Sequence, residues 1–340
     1  MKKIEQILML LAFLMAQAVF VSCSDDDDNG STGSNNELVT IDKNGNASNG
    51  GVFSAIDDQN FYLDYIKYTV EKGHLVVTGY DEAGFKGVAK IVARIAYNGN
   101  TYEVLEIGES AFDECSKLTS VIIPNTVTSI GKYAFCECEE LTSLTIPNSV
   151  KSIAYYAFAY CEGLTSLTIP SSVTSIDFGF CYCSGLTSIK VEEGNKNYDS
   201  RNNCNAIIET ATNRLITGCS KTVIPNSVTI IGNSSFEYCY GLTSITIPNS
   251  VTDIEEFAFY SCDGLTSITI PNSVTYIGGY AFGYCDELAS VHCLGLTPPD
   301  ADVDAFNSTY QTATLYVPKG SLAAYKSEYV WSRFKNIVEE

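Results

Sequence analysis

Apolar residues recur along most of this chain with a period of 23 residues. Prolines mark that period in two series, which are Pro124, Pro147 and Pro170, and then Pro225, Pro248 and Pro271. A repeat of this length is typical of stacked supersecondary units, none of which buries a core of its own. The pattern therefore predicts one elongated array and not a set of separate globular domains.

Each repeat combines a short strand with an apolar corner. Within residues 141–164, Leu144 and Ile146 alternate with polar residues, which predicts a strand with one buried face. Pro147 has no amide hydrogen to donate, so it ends that strand and turns the chain. The remaining apolar residues of the unit complete the interior of the coil, and they are Val150, Ile153 and Phe158.

Seven copies can be followed by an isoleucine and the phenylalanine that closely follows it. The pairs are Ile107 with Phe112, Ile130 with Phe135, Ile153 with Phe158, Ile176 with Phe180, Ile231 with Phe236, Ile254 with Phe259, and Ile277 with Phe282. The fourth copy is one residue short, and an insertion at residues 192–221 follows it. Two β-prone stretches in the insertion flank residues 210–213, which predicts a hairpin that projects from one side of the stack.

Both ends of the chain break the period. Residues 52–104 contain short β-prone stretches divided by glycine turns, and we expect them to cap the first coil. The solenoid is expected over residues 105–293, followed by a C-terminal cap over residues 294–340. Within that cap, the segment from Ser321 to Phe334 predicts a short amphipathic helix, with Trp331 as a buried plug.

The repeat consensus LTSLTIPNSVxxIGxxAFxxCxxL resembles that of the BspA-like leucine-rich repeat family. The tail segment LYVPKGSL, residues 315–322, is similar to the closing segment of many such proteins. The resemblance covers about residues 60–340. It implies a mainly β fold, a right-handed leucine-rich-repeat solenoid of about seven 23-residue coils, and a surface-displayed binding or adhesion module.

Residues 1–22 have the layout of a secretory signal peptide, with two lysines before an apolar stretch. The stretch ends at a Ser-Cys pair that resembles the lipobox of bacterial lipoproteins, which implies that Cys23 is lipid-modified. The acidic run at residues 25–28 resembles the surface-export signal of Bacteroides-type lipoproteins, and residues 23–51 are expected to comprise this run and a flexible tether. We therefore expect a body that is lipid-anchored in the outer membrane and faces the cell exterior. An ordinary cleavable signal peptide is the alternative.

The chain is acidic, with 40 Asp and Glu against 20 Lys and Arg. A net charge of −20 repels the phosphates of nucleic acids, so we expect no nucleic-acid partner. The acidic balance is also consistent with a merely solubilised surface.

Seven of the 13 cysteines occupy one position in successive copies, three residues before a leucine. This structural ladder consists of Cys115, Cys138, Cys161, Cys183, Cys239, Cys262 and Cys285. We expect buried free thiols there, because in-register stacking aligns the Cβ bonds in a way that suits a disulfide poorly. Cys204 and Cys219 lie outside the ladder and opposite each other in the predicted hairpin, so they either form a disulfide or remain two free thiols.

No constellation of catalytic residues is recognisable in the sequence. It contains two histidines and none of the short motifs that mark hydrolases, metalloproteases or nucleotide sites. Cys136 with Cys138 and Cys181 with Cys183 superficially suit zinc, but one member of each pair belongs to the inward-facing ladder. We therefore expect no enzyme activity and no catalytic, cofactor or metal site. A glycan or peptide hydrolase built from converging carboxylates is the minority alternative.

Tyrosines are concentrated around the Ala-Phe corner, where the copies differ most. The candidate binding face consists of Tyr133, Tyr156, Tyr160, Tyr182, Tyr238, Tyr260, Tyr280 and Tyr284. Tyrosine is enriched among interface anchors, yet the same residues could simply pack on each other along the stack. A protein ligand is the first expectation for a partner, a glycan captured for nutrient uptake is the alternative, and the body is expected to be monomeric.

Overall fold

A computed structural model describes residues 37–340, so the expected signal peptide, Cys23 and the acidic run lie outside the described residues. Within this range, no helix combines the length and the apolar character needed to span a bilayer. Strand β1 already forms at Leu38–Thr40, parallel to a later strand at Arg94–Tyr97. The folded region thus begins before residue 51, where the sequence placed the end of the tether.

The N-terminal region is a set of short strands that precede the repeats. They are β2 (Phe53–Ala55), β3 (Asn60–Leu63), β4 (Ile66–Glu71), β5 (His74–Tyr80), β6 (Val88–Lys90), β7 (Arg94–Tyr97) and β8 (Asn100–Ile107). Strands β2 to β5 form an antiparallel meander, whereas β5 runs parallel to β8. The meander therefore joins the parallel sheet of the array and covers its first edge.

Most coils of the array contribute short strands to two parallel faces. The serine-rich face contains β9 (Ser120–Ile122), β11 (Ser143–Thr145), β13 (Ser166–Ile169), β15 (Ser188–Val191), β21 (Ser267–Ile270) and β23 (Ser290–Cys293). The other face contains the two-residue strands β10 (Ser129–Ile130), β12 (Ser152–Ile153), β14 (Ser175–Ile176), β19 (Ile230–Ile231), β20 (Asp253–Ile254), β22 (Tyr276–Ile277) and β24 (Asp300–Ala301). Serine pairs with serine and isoleucine with isoleucine, so the 23-residue period is the register of the stack.

The solenoid has about ten turns at this spacing, which is more than the seven copies seen in the sequence. The extra turns lie where the consensus fades but the apolar positions persist. Strand β6 pairs in parallel with β9, and β25 (Thr314–Val317) and β26 (Asn336–Glu339) extend the serine-rich face beyond β23.

Phenylalanine rings form a column along the interior. Neighbouring ring centroids lie 5.0–5.2 Å apart, and the ring planes are within 10° of parallel. The column has two sections, which are Phe112, Phe135, Phe158 and Phe180, and then Phe236, Phe259, Phe282 and Phe306. This alignment confirms the in-register stacking that the period predicted.

The cysteine ladder runs beside the phenylalanine column. Five of its thiols donate a hydrogen bond to the phenylalanine carbonyl of the preceding coil, with Sγ–O distances of 3.0–3.2 Å: Cys138 to Phe112, Cys161 to Phe135, Cys183 to Phe158, Cys262 to Phe236 and Cys285 to Phe259. Burial raises the pKa of the Cys183 and Cys285 thiols to about 12. The ladder therefore consists of neutral thiols that fill a corner and also tie neighbouring coils together.

The insertion at residues 192–221 is folded into the stack and does not project from it. Its strands are β16 (Tyr198–Asp199), β17 (Ile207–Glu209) and β18 (Arg214–Thr217), with a 3-10 turn at Arg201–Asn203. Strands β17 and β18 form the predicted hairpin, and β18 continues in parallel with β19. Because Ile208 and Leu215 are fully buried, the hairpin contributes to the interior of the array.

The coil that contains β18 lacks half of its corner. Leu215 pairs with Ile231 and so takes the place of the isoleucine of a regular coil. In a regular coil Ile153 precedes Cys161 by eight positions, whereas Leu215 precedes Cys219 by four. The corner of this one turn is therefore too short to carry the usual Ala-Phe segment.

Gly218 stands where the other coils have phenylalanine. Its N–H donates to the carbonyl of Ser235 at 2.8 Å, in the same pattern that connects the phenylalanines of regular coils to the next corner. A Cβ atom at Gly218 would come within 2.1 Å of the Phe236 ring, so a side chain there would displace that ring. The phenylalanine column is therefore interrupted between Phe180 and Phe236.

Cys204 and Cys219 are both buried free cysteines, so the disulfide considered for them is absent from the structure. The Cys219 thiol donates to the Asn205 carbonyl, with an Sγ–O distance of 3.4 Å, and the Cys204 thiol faces the Ala206 carbonyl. The hairpin ladder begins only at Ile207 and contains a bulge there. Cys204 consequently lies in the turn before the hairpin and not opposite Cys219.

The C-terminal segment closes the last turns. Helix α1 covers only Leu322–Ser327, and 3-10 turns at Thr309–Gln311 and Trp331–Arg333 complete the cap. The single helix expected from Ser321 to Phe334 is thus divided in two. Trp331 is 1% exposed, and its indole N–H donates to the Pro299 carbonyl at 2.9 Å, so it seals the end of the core.

Candidate functional site

The tyrosines of the predicted binding face all lie on the corner between the two strand faces. Seven of the eight are half-buried, and Tyr284 is 44% exposed. The corner is also the part of each coil where every second N–H donates to the next coil, as from Tyr133 to Tyr155 and from Phe135 to Ala157. The stripe is therefore mounted on a regular hydrogen-bonded edge.

The corner has an unusual backbone. In each of the seven regular corners, the residues two before and two after the phenylalanine have φ between 48° and 62°. They are Ser110 and Glu114, Tyr133 and Glu137, Tyr156 and Tyr160, Phe178 and Tyr182, Ser234 and Tyr238, Phe257 and Ser261, and Tyr280 and Tyr284. Left-handed conformations of residues other than glycine cost about 1 kcal/mol or more each, so the stacked coils must enforce them.

Tyrosine packing accounts for much of the stripe. Tyr155 stacks on Tyr156 with ring centroids 4.0 Å apart, and Tyr160 stacks on Tyr182 at 4.2 Å. The Tyr156 and Tyr182 hydroxyls are hydrogen-bonded to each other at 3.1 Å. The structural role considered for these residues is thus present in the fold, and recognition must be sought where the packing is interrupted.

The interruption lies at the shortened corner. Because that coil has no Ala-Phe segment, the corners on either side face each other across a cleft of about 420 Å³. We call this the corner cleft. It is lined by Tyr155, Tyr156, Phe178, Tyr182, Asn233, Ser234, Glu237, Tyr238, Phe257 and Tyr260. Four of the eight predicted tyrosines are therefore brought together here, while Tyr133, Tyr160, Tyr280 and Tyr284 lie elsewhere on the stripe.

Glu237 is the one carboxylate that lines the corner cleft. The residue is 8% exposed, and its Oε2 atom is buried without a hydrogen-bond partner. Burial raises the pKa of Glu237, although the nearby hydroxyls of Ser234 and Tyr182 oppose the shift. A buried carboxylate with one unpartnered oxygen is unfavourable for the free protein, so its position in a cleft marks a candidate site.

Burial raises the pKa of three phenols in the corner cleft, those of Tyr156, Tyr182 and Tyr260. It is the first cause of the raised pKa of Tyr156 and of Tyr182, and the Glu237 carboxylate raises that of Tyr182 further. The Tyr260 pKa is raised first by burial, then by the neighbouring Tyr238 and Tyr284, and also by Glu237. The cleft is thus a set of aromatic rings around one acidic group.

A second cavity of about 240 Å³ adjoins the corner cleft and shares Phe178 and Asn233 with it. Arg214 lines this cavity and forms a bidentate ion pair with Glu255, which also accepts the Asn233 N–H at 2.9 Å. The charge of the guanidinium is therefore already paired, and this ion pair connects the hairpin to the neighbouring corner.

The described residues offer little for metal or acid-base chemistry. Between residues 37 and 340, no group of three His, Cys, Asp or Glu side chains could hold a metal ion. Cys136 and Cys181 are buried, and burial raises the pKa of both thiols. His292 stacks on Tyr316 with centroids 4.5 Å apart and contacts the Glu340 carboxylate at 2.9 Å, at the C-terminal end of the array.

The sequence does not distinguish Glu237 from the other acidic residues near the stripe. Its position directly follows the phenylalanine, where the other regular corners have Asp113, Cys136, Ala159, Cys181, Tyr260 and Gly283. A glutamate next to the buried column was the available signal. The cleft could not be recognised in the sequence, because the insertion lacks the repeat consensus and the position of the shortened coil is therefore not apparent.

The comparisons with known proteins agree with this architecture. No curated protein matches the chain. A leucine-rich repeat protein from Eubacterium ventriosum of known structure is 23% identical, with a TM-score of 0.56 over 79% of this chain and 78% of that one, which shows the shared fold. A leucine-rich repeat protein from Bacteroides capillosus is 32% identical over 39% of this chain and 99% of that one, with a TM-score of 0.38. The pneumococcal vaccine antigen PcpA is 18% identical over 83% of this chain and 99% of that one, with a TM-score of 0.48.

The family comparison covers most of the repeat region. The family described as BspA type leucine-rich repeat region, in six copies, matches residues 105–213 and 216–328. The two matches together span more than half of the chain and include the corner cleft. This chain belongs to the BspA-type leucine-rich repeat family.

Proposed function

We propose that this protein is a cell-surface lipoprotein that binds a protein partner through the tyrosine-rich corner of its solenoid. The observation that carries the proposal is the corner cleft, where four predicted tyrosines and Glu237 surround an open space in an otherwise packed stripe. Leucine-rich repeats commonly serve as protein-binding modules, because stacked coils present an extended rigid surface.

Two further features support binding over catalysis. Tyrosine combines a large contact area with few rotatable bonds, so a preformed tyrosine surface loses little entropy when a partner binds. The net charge of −20 favours a partner with a basic surface and speeds its approach.

Localisation forms part of the proposal. A lipid on Cys23, followed by the acidic run, would anchor the protein in the outer membrane and leave the solenoid facing outward as a monomeric body. Metabolic labelling with an alkyne-bearing fatty acid tests the anchor, with Cys23→Ala as control. Protease digestion of intact cells tests the outward orientation, which predicts cleavage of the solenoid without lysis.

A binding screen tests the function itself. The full chain, solubilised in a neutral detergent, is screened against arrays of extracellular-matrix proteins, bacterial surface proteins and glycans. We expect protein ligands that lose affinity when Tyr182 or Tyr238 is replaced by leucine, with the remote Tyr276→Leu as the matched control. Glycan ligands alone would instead support the alternative, a glycan-capturing lipoprotein of a nutrient uptake system. Turnover of any glycan or peptide substrate would favour a hydrolase.

A further inference from the structure

The corner cleft has the chemistry of a site for a positive charge. Its rings present π faces, which carry partial negative charge, and its one carboxylate is 8% exposed with an unpaired buried oxygen. The Tyr156 and Tyr182 hydroxyls bind each other and Ser234 donates to the side chain of Asn233, and among the buried side-chain polar atoms of the cleft only Glu237 Oε2 lacks a hydrogen-bond partner. The polar group left without a partner is therefore an acceptor.

We propose that the corner cleft accepts one basic side chain of the partner, a lysine ammonium or an arginine guanidinium, and holds it between the tyrosine rings and the Glu237 carboxylate. This inference rests on the proposed protein-binding function and specifies which group of the partner is recognised. A cation–π contact and a compensating charge then act on the same ligand group.

The walls and the volume of the corner cleft suit a single side chain of the partner. Tyr182 and Tyr238 belong to corners on opposite sides of the interrupted coil and contact each other with centroids 5.1 Å apart, and Tyr238 contacts Tyr260 at 5.6 Å, so the three rings form one continuous wall of the cleft. A volume of about 420 Å³ lies in the range of small-ligand pockets and admits a single long side chain together with its peptide stem. The space left by the missing corner of the solenoid is thus the proposed binding site for the partner's side chain.

A cation fits this site better than a neutral sugar does. A sugar hydroxyl could donate to Glu237 but would leave the negative charge uncompensated, whereas an ammonium or guanidinium neutralises it. The neighbouring Arg214 does not perform this function, because it is paired with Glu255 in the adjoining cavity. The Glu237 carboxyl group is therefore available for an external cation.

The test uses ligands that differ in one group. The probes are acetylated and amidated pentapeptides with four glycines around a central lysine, arginine, norleucine or Nε-acetyl-lysine, titrated calorimetrically into the full chain in detergent. We expect the lysine and arginine peptides to bind at least about tenfold more tightly than norleucine and acetyl-lysine. Glu237→Gln should lower lysine-peptide affinity by a similar factor, whereas the exposed Glu140→Gln should not. Tyrosine ring NMR locates the site through the resonances of Tyr182 and Tyr238.

Several results would overturn the inference. Equal binding of the norleucine peptide would make the cleft an apolar pocket, and unchanged affinity in a folded Glu237→Gln variant would exclude the carboxylate. Binding of methyl glucoside in place of the lysine peptide would assign the cleft to glycans. If the screen instead finds a protein ligand that binds Glu237→Gln as well as the native chain, the proposed function stands and this inference fails. A lysine peptide that binds while the screen finds no protein leaves the cleft chemistry intact and removes the proposed function.

Discussion

The phenylalanine column allows the stability of single coils to be compared directly. Phe158 is fully buried and stacks on Phe135 at 5.0 Å and on Phe180 at 5.1 Å. Phe180 is 2% exposed but stacks on one ring of the column only, because Gly218 stands in the next coil. The two residues are thus matched in burial and differ by one aromatic pair.

This difference predicts an order of stabilities. Truncation of a buried phenylalanine to alanine costs about 3–5 kcal/mol, and an aromatic pair contributes about 0.5–1.5 kcal/mol beyond burial. Phe158→Ala should therefore lower the free energy of unfolding by about 1 kcal/mol more than Phe180→Ala does. The second section of the column repeats the comparison, with Phe259→Ala expected to be more destabilising than Phe236→Ala.

Urea unfolding of the full chain, followed by far-ultraviolet circular dichroism, measures these free energies. An unchanged slope of free energy against urea is the control that each variant unfolds from the same native state. If Phe180→Ala and Phe236→Ala were as destabilising as the variants at Phe158 and Phe259, the column would not act through stacking. The interruption at Gly218 would then have no energetic consequence.

Three other predictions concern the corners and the ladder. Burial raises the folded-state pKa of Glu237, so the folded state binds more protons above the ordinary value of 4.5 and stability declines as pH rises through that window. Glu237→Gln should accordingly raise the melting temperature at pH 7 and have little effect at about pH 4, and a lower melting temperature at pH 7 would refute the reasoning. The thiols of Cys161 and Cys262, whose pKa burial holds well above the usual value, should react with a thiol reagent only after denaturation, and rapid labelling of the native protein would contradict their placement. Tyr284 is 44% exposed at φ 54°, so Tyr284→Gly should change stability by less than about 1 kcal/mol while the β-branched Tyr284→Val should be clearly destabilising, as differential scanning calorimetry can measure.

The sequence alone was sufficient for the parts of the fold that repeat. The spacing of Ile153 and Phe158, copied from coil to coil, fixes both the strand register and the interior column, since each coil is packed only against its neighbours. The position of Cys161 predicted a buried thiol, although not its hydrogen bond to the Phe135 carbonyl. That hydrogen bond can be identified only in the structure, because the acceptor belongs to another coil.

The candidate site could not be predicted in the same way, because it lies where the repeat fails. Within the insertion, Leu215 and Gly218 replace an isoleucine and a phenylalanine without resembling either, and four corner positions are missing. Periodicity loses its register there, so Tyr182 and Tyr238 could not be recognised as neighbours across a gap. The unusual position of Glu237, directly after the phenylalanine of its corner, is visible in the sequence. The cleft that Glu237 lines is visible only in the structure.

The left-handed corners restrict how this surface can diversify. At those positions the backbone disfavours valine, isoleucine and threonine, and the residues found there are serine, glutamate, tyrosine and phenylalanine. Any new specificity that arises on the corner must therefore use a small set of residue types that are not branched at Cβ, of which the aromatic residues are the largest. Selection for a different target would then proceed mainly by exchanging rings for carboxylates or hydroxyls along the edge, while the scaffold beneath stays the same.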